Sequence, residues 1–89
     1  MTKPESRLQR QVEKYLKSVG VIYTNCSGIG DGVSDLIVLC RGRYIELELK
    51  TPKGTHDLLQ RIREKLIKQQ RGEYYTPRSL EEVRQIIGE

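Results

Sequence analysis

The stretch SDLIVLCRGRYIELELK, residues 34–50, leaves this chain few choices of fold. Residues 34–40 are apolar on both faces after Asp35, the pattern of a central strand covered on both sides. Arg41-Gly42 fits a two-residue turn and makes a hairpin with residues 43–50. In that next strand Ile45, Leu47 and Leu49 share one face, while Tyr44, Glu46, Glu48 and Lys50 share the other. A hairpin of this kind needs layers to cover it, so the rest of the chain has to supply them.

The flanking segments do so. Leu8, Val12, Tyr15, Leu16 and Val19 form one apolar stripe at helical spacing, predicting a helix from about Pro4 to Val19. Thr2 with Glu5 fits a capping box at its start, and Gly20 stops it. Residues 21–26 read as a strand, and 27–33, with three glycines, as a loop. After the hairpin, residues 51–54 form a turn and Thr55 caps a second helix reaching about Gln70. Its apolar arc is Leu58, Leu59, Ile62, Leu66 and Ile67. Residues 73–77 read as a fourth strand. Ser79 with Glu82 opens a last helix that turns Leu80, Val83, Ile86 and Ile87 inward. The order α-β-β-β-α-β-α predicts an α/β domain, a mixed sheet flanked by helices, with a right-handed crossover if strands three and four are parallel.

Length and composition bound the rest. The 89 residues allow one small domain, 1–89, with a limited core of Leu, Ile and Val and with Tyr at its margins. No disulfide framework or zinc pattern staples it, so help from oligomerisation is expected. No apolar run is long enough to span a membrane, and MTKPESRLQR has no hydrophobic leader. Cys26 and Cys40 stand in no ligand spacing and read as buried small hydrophobes, which makes the reducing cytosol the expected compartment. Sixteen basic against twelve acidic residues give a formal charge of +4, compatible with a nucleic-acid partner and equally with an ordinary surface.

Some of the acids stand in odd places. Glu48 and Lys50 point the same way, roughly 7 Å apart along the strand. A carboxylate there suits Mg²⁺ or Mn²⁺, and the lysine beside it can orient a water and offset charge on a phosphate. The plain reading of the same pair is a solvated outer face. Asp35 opens the most apolar strand, and counting back from the turn sets Ser34 or Asp35 near Leu49 or Lys50. Two carboxylates and an ammonium then meet at the end of a buried sheet, an arrangement a cation would explain. Otherwise Asp35 is a turn residue that caps the loop.

Glu5 shares a helix face with Leu8, Val12 and Leu16, so it points toward the sheet or serves only as the partner of Thr2. Gln60 lies beside Ile67 at the edge of the second helix's apolar arc, within reach of the same place. Lys53 follows in a turn where a phosphate could pass or where it is merely solvated. The glycine loop lies between two strands with no helix N-terminus after it, so it is not a nucleotide fingerprint. His56, the sole histidine, reads as an exposed residue near a helix start, and no Ser-His-Asp or Cys-His triad is supported.

Taken together these residues resemble the PD-(D/E)XK nuclease superfamily, and within it the VRR-Nuc (virus-type replication-repair nuclease) family. The resemblance runs through Glu5 in PESRLQRQVEKYL, Asp35 in GVSDLIV, Glu48 and Lys50 in IELELK and Gln60 in GTHDLLQ. It implies a restriction-endonuclease-like core, αβββαβ, with a short C-terminal helix added here. It also implies Mg²⁺ (or Mn²⁺) held by Glu5, Asp35, Glu48 and the Leu49 backbone carbonyl, with Lys50 and Gln60 completing the catalytic set. DNA is the implied substrate, branched forms such as four-way (Holliday) junctions above all, cut by a homodimer to leave 5′-phosphate and 3′-hydroxyl ends. Arg7, Arg10, Lys53 and Arg61 are candidates for backbone contacts. Small stand-alone relatives come from phages or bacteria, implying the cytoplasm of a bacterial or phage-infected cell. Two departures stand out: Ser34 where many relatives carry proline, and Glu46, a further carboxylate on the face of Glu48 that competes with it as metal ligand. A non-catalytic nucleic-acid-binding module on the same fold is the rival reading.

Overall fold

The computed structural model describes residues 4–26, 34–49 and 58–88. Its elements are α1 (Pro4–Ser18), β1 (Ile22–Asn25), β2 (Leu36–Cys40), β3 (Arg43–Leu47), α2 (Leu58–Gln69), β4 (Glu73–Tyr75) and α3 (Leu80–Ile87). This is the order read from the sequence, with strands two or three residues shorter. The Thr2–Glu5 capping box, the 27–33 loop, Lys50, the 51–54 turn, Thr55 and His56 involve residues outside those described, and α1 side chains are described from Arg7 onward.

The sheet runs β1-β2-β3-β4, antiparallel except for the parallel β3–β4 pair. Arg41 and Gly42 both take positive φ, 50° and 80°, the left-handed pair that a two-residue hairpin turn needs to follow strand twist. This turn sets Cys40 opposite Arg43 and Leu36 opposite Leu47. At the end of α2 the left-handed residue is Arg71, φ 65°. Gly72 serves a different purpose: a Cβ there would lie 2.8 Å from Ile67 Cγ2 and 3.1 Å from Tyr44 Cδ1. The helix can return this close to the sheet only over a glycine.

One sheet face carries the core. Leu36, Val38 and Cys40 of β2 and Ile45 and Leu47 of β3 pack with Val12 and Leu16 of α1 and Val83 and Ile87 of α3. Arg84 of α3 also lies over the Tyr15 ring of α1, 5.8 Å from its centroid. At the start of α3 the Ser79 hydroxyl accepts the Glu82 N–H at 3.2 Å, as the capping box predicts, while the Glu82 carboxylate takes the N–H of Arg78. Its other end is held by two arginines of the hairpin. Arg41 donates to the Ile87 carbonyl at 2.7 Å and Arg43 to that of Ile86 at 2.9 Å, where helix carbonyls lack intrahelical partners.

The opposite face departs from expectation in two ways. β2 is central but not covered on both sides, since Leu39 is 49% exposed. In α2 only Ile67 of the apolar arc is buried, while Leu58, Leu59, Ile62 and Leu66 are exposed. The helix packs against β4 at one side of the sheet and turns a polar residue, Arg63, onto it. No helix of the described residues is long and apolar enough to cross a membrane.

Arg43 ties β3 to β4 by donating from Nε and Nη2 to the two oxygens of Glu73, at 2.8 and 2.7 Å, and the Tyr75 hydroxyl donates to the same carboxylate. The guanidinium hydrogen bonds hold the Glu73 carboxyl at about 2, below its ordinary 4.5. A depressed carboxyl contributes stability that is complete above the unfolded value and lost as pH falls through the folded one. Acid titration of unfolding should therefore show a loss between about pH 4.5 and pH 2 that Glu73→Gln removes, at roughly 1 kcal/mol because solvent screens a pair this exposed.

Candidate functional site

The site builds at the end of the sheet away from the hairpin turn. Asp35 precedes β2. Its carbonyl accepts the Cys26 N–H at 2.7 Å, and its carboxylate Oδ2 accepts the Leu49 N–H at 2.9 Å. Glu48 follows β3, and its N–H donates to the Tyr75 carbonyl at 2.9 Å, one step beyond the β3–β4 pairing. Extending the β2–β3 register by one pair sets Asp35 opposite Glu48. The sequence count came within one residue of this. Asp35 is half-buried and Glu48 buried.

Glu46 is the surprise. The strand pattern allowed it a solvated outer face or a share in a metal, yet it is 0% exposed. Arg63 of α2 donates to both its oxygens, Nε to Oε1 at 3.1 Å and Nη2 to Oε2 at 2.7 Å. The buried Ser34 hydroxyl donates to Oε1 at 2.9 Å, and the Tyr44 hydroxyl donates to Oε2. Burial alone would push the Glu46 carboxyl up. The Arg63 guanidinium and the two hydroxyls outweigh it and hold the group below its ordinary value, ionised and paired. Burial and the Glu46 charge push the Tyr44 phenol up to about 12.

The two carboxylates on this strand face therefore have different surroundings. Glu46 is held by a guanidinium and two hydroxyls, whereas Glu48, two residues on, lies at the sheet's end. The same network fastens Ser34, the residue next to Asp35, because the Ser34 hydroxyl also reaches the Leu36 carbonyl at 3.3 Å. Asp35 is thus held from both sides, by Ser34 in the network and by the N–H of Leu49.

Tyr74 reports the field at this end. It pairs with Glu46 across the parallel ladder, and its buried phenol is pushed well above the usual tyrosine value. Burial is the main cause, followed by the charges of Glu48, Glu64, Glu46 and Asp35. Four carboxylates therefore act on one buried hydroxyl. Among the described residues no group of three or more His, Cys, Asp or Glu side chains is arranged to hold a metal ion. The register sets Asp35 and Glu48 opposite one another at this end of the sheet.

Of the other sequence candidates, Gln60 is half-buried on the same side of α2 as Arg63 and Ile67, the side turned to the sheet. Arg7, Arg10 and Arg61 are exposed. Arg7 and Arg78 line one open cleft of about 290 Å³ between α1 and α3. The Glu5 side chain, Lys50 and Lys53 lie outside the described residues. Sequence reasoning missed Arg63, Tyr74 and the role of Ser34. Arg63 was legible in principle: it stands one turn before Ile67, on the buried side of an amphipathic helix.

The comparisons with known proteins follow from this architecture. A solved structure described as "VRR_NUC domain" superposes with a TM-score of 0.81, covering 98% of this chain and 97% of that one at 22% identity. The chain has the VRR_NUC fold. The α/β restriction-endonuclease-like core implied by the sequence resemblance is therefore present over nearly its whole length. No protein-family model matches the chain, and no curated protein does.

The clamp on Glu46 makes a sharp stability prediction. Arg63→Ala strands a buried carboxylate and should cost about 3 kcal/mol in urea unfolding, the lower end of the range for a broken buried pair because the guanidinium is partly solvated. The double change Glu46→Gln, Arg63→Met should recover most of that loss, which a purely steric role for Arg63 does not predict.

Proposed function

We propose that this chain is a VRR-Nuc nuclease, a metal-dependent endodeoxyribonuclease that hydrolyses phosphodiester bonds in DNA. The observation that carries the reading is the pair Asp35 and Glu48 at the open end of a VRR_NUC fold, with the competing Glu46 neutralised by Arg63. A hard divalent cation fits this donor set, since carboxylate oxygens favour Mg²⁺ or Mn²⁺ over softer metals. Asp35, Glu48, the Leu49 carbonyl and Glu5 of α1 would hold it.

Such a cation supplies Lewis acidity toward a phosphate oxygen and a bound water of lowered pKa. The chain's own residues do the rest. Lys50, next after Leu49, orients the attacking water and offsets negative charge developing on the phosphate. Gln60, from the sheet-facing side of α2, steadies the site or touches DNA. The Ser34–Glu46–Arg63 clamp keeps Asp35 from drifting when charge at the site changes. Arg7, Arg10, Lys53 and Arg61 supply backbone contacts. Branched DNA such as four-way junctions is the proposed substrate, cut by a homodimer, because paired sites suit a two-fold junction.

A labelled four-way junction, with duplex, flap and fork beside it, tests the reading. Wild type should cut with Mg²⁺ and stop with EDTA, and Lys50→Ala should lose about a thousandfold in rate while still binding DNA. Calorimetry supplies a readout apart from cleavage: Asp35→Ala should abolish Mn²⁺ binding by the folded protein. Salt-sensitive DNA binding without metal-dependent cutting would assign the rival, a non-catalytic binding module.

A further inference from the structure

Tyr74 of β4 is a hydrogen-bonding side chain that the proposed chemistry does not use, and it is only 4% exposed. Its ladder partner is Glu46, so its ring stands on the α2 face of the sheet, the face of Glu46 and Glu48. β3 and β4 run parallel, and Glu48 follows Glu46 by two residues toward the site end. A side chain of β4 that leans along its own strand therefore leans toward Glu48. A diagonal neighbour of this kind stands roughly 7–8 Å away, within reach of an aromatic side chain.

The acceptors on this face decide which carboxylate the hydroxyl serves. Glu46 carries four donors, two on each oxygen: Arg63 Nε and Ser34 on Oε1, Arg63 Nη2 and Tyr44 on Oε2. Its lone-pair sites are filled. Glu64 gives one oxygen to Lys68 at 2.6 Å, and Asp35 gives Oδ2 to the Leu49 N–H. The field at the phenol agrees. Glu48 acts on it more strongly than Glu46 does, although Glu46 is the residue directly opposite, and Asp35 acts least of the four carboxylates. The ring is thus aimed along the sheet, past Glu46 and toward the site.

We infer that Tyr74 is a positioning residue for Glu48: in the loaded site its hydroxyl donates to one oxygen of the Glu48 carboxylate and leaves the other for the cation. A carboxylate that binds a metal is itself held by such donors, which fix its rotamer and its orientation. Glu48 has one more rotatable bond than Asp35 and lies past the last paired residue of β3, so a donor that fixes it removes more freedom there. Asp35 has its own positioning in the Leu49 N–H and the Ser34 network. Each of the two carboxylates is then set by a donor from a neighbouring stretch of chain, Asp35 by the backbone beyond β3 and Glu48 by β4. The inference rests on the metal reading of Asp35 and Glu48 proposed above and adds to it a residue from a fourth strand.

The absorbance of the full chain tests it. The sequence has five tyrosines, no tryptophan and no phenylalanine, so the near-ultraviolet band belongs to phenols. A phenol that begins to donate to a carboxylate shifts this band to the red. Mn²⁺ added without DNA should produce that red shift in wild type, saturating together with the Mn²⁺ uptake measured by calorimetry. Tyr74→Phe keeps the ring and removes only the hydroxyl. It should abolish the shift and weaken Mn²⁺ binding by roughly tenfold. Tyr75→Phe, on the core face of the same strand, removes a hydroxyl from Glu73. It should lower stability yet leave both the shift and the Mn²⁺ affinity as in wild type, which separates positioning from a merely structural role. Mn²⁺ uptake by wild type without a red shift overturns the inference, and that reading needs no variant to fold. A shift or an affinity unchanged in folded Tyr74→Phe also overturns it. Each of these results leaves the nuclease reading standing, whereas no Mn²⁺ uptake by wild type overturns the two together.

Discussion

The ion pair between Glu46 and Arg63 determines how α2, the hairpin and the start of β2 can sit together. A carboxylate without exposed surface in the middle of a sheet is costly unless every oxygen is matched. Here one arginine and two hydroxyls do the matching, from α2, from Tyr44 two residues earlier and from Ser34 across the hairpin. The network therefore joins three places far apart in sequence. Because Ser34 abuts Asp35, its geometry passes directly into the candidate site. The buried ionised group has a use that a leucine at the same position lacks: it fixes the rotation of α2 and the entry of β2 by direction as well as by contact.

Two carboxylates with the same strand parity have opposite fates for a local reason. Glu46 lies under α2, where a guanidinium one turn from Ile67 can reach it. Glu48 lies past the end of β3, where the chain leaves the sheet. Pairing with Arg63 confines the charge of the first to the network that holds it.

Much of the fold was legible because hairpin and helix signals are local. The two-residue turn at Arg41-Gly42 fixed register, and register brought Asp35 to within one residue of its observed opposite, Glu48. The Ser79–Glu82 cap and the inward Val83 and Ile87 likewise depend on neighbours a few residues away. What sequence could not give is which of two stripes on α2 faces the sheet. Apolar periodicity favoured Leu59, Ile62 and Leu66, because a helix is read by its largest apolar arc. Only the fate of Glu46, seventeen residues earlier, turns Arg63 inward instead. The apolar reading of β2 failed for a related reason: Ile37 and Leu39 share the face that α2 covers only in part, which leaves Leu39 exposed.

These two departures have one cause. Turning α2 by about 100° would carry Leu66 toward the sheet, and burying each such leucine is worth about 1.5–3 kcal/mol. The sheet positions waiting there are Glu46 and Tyr74, however, so the leucines would land on a carboxylate whose guanidinium had just been withdrawn. Losing that partner costs about 3 kcal/mol and the leucines would gain little against a charge. The rotation that satisfies Glu46 is therefore the one that leaves Leu59, Ile62 and Leu66 facing outward. An electrostatic demand inside the chain thus decides which side of α2 meets the sheet, against the preference of its apolar arc.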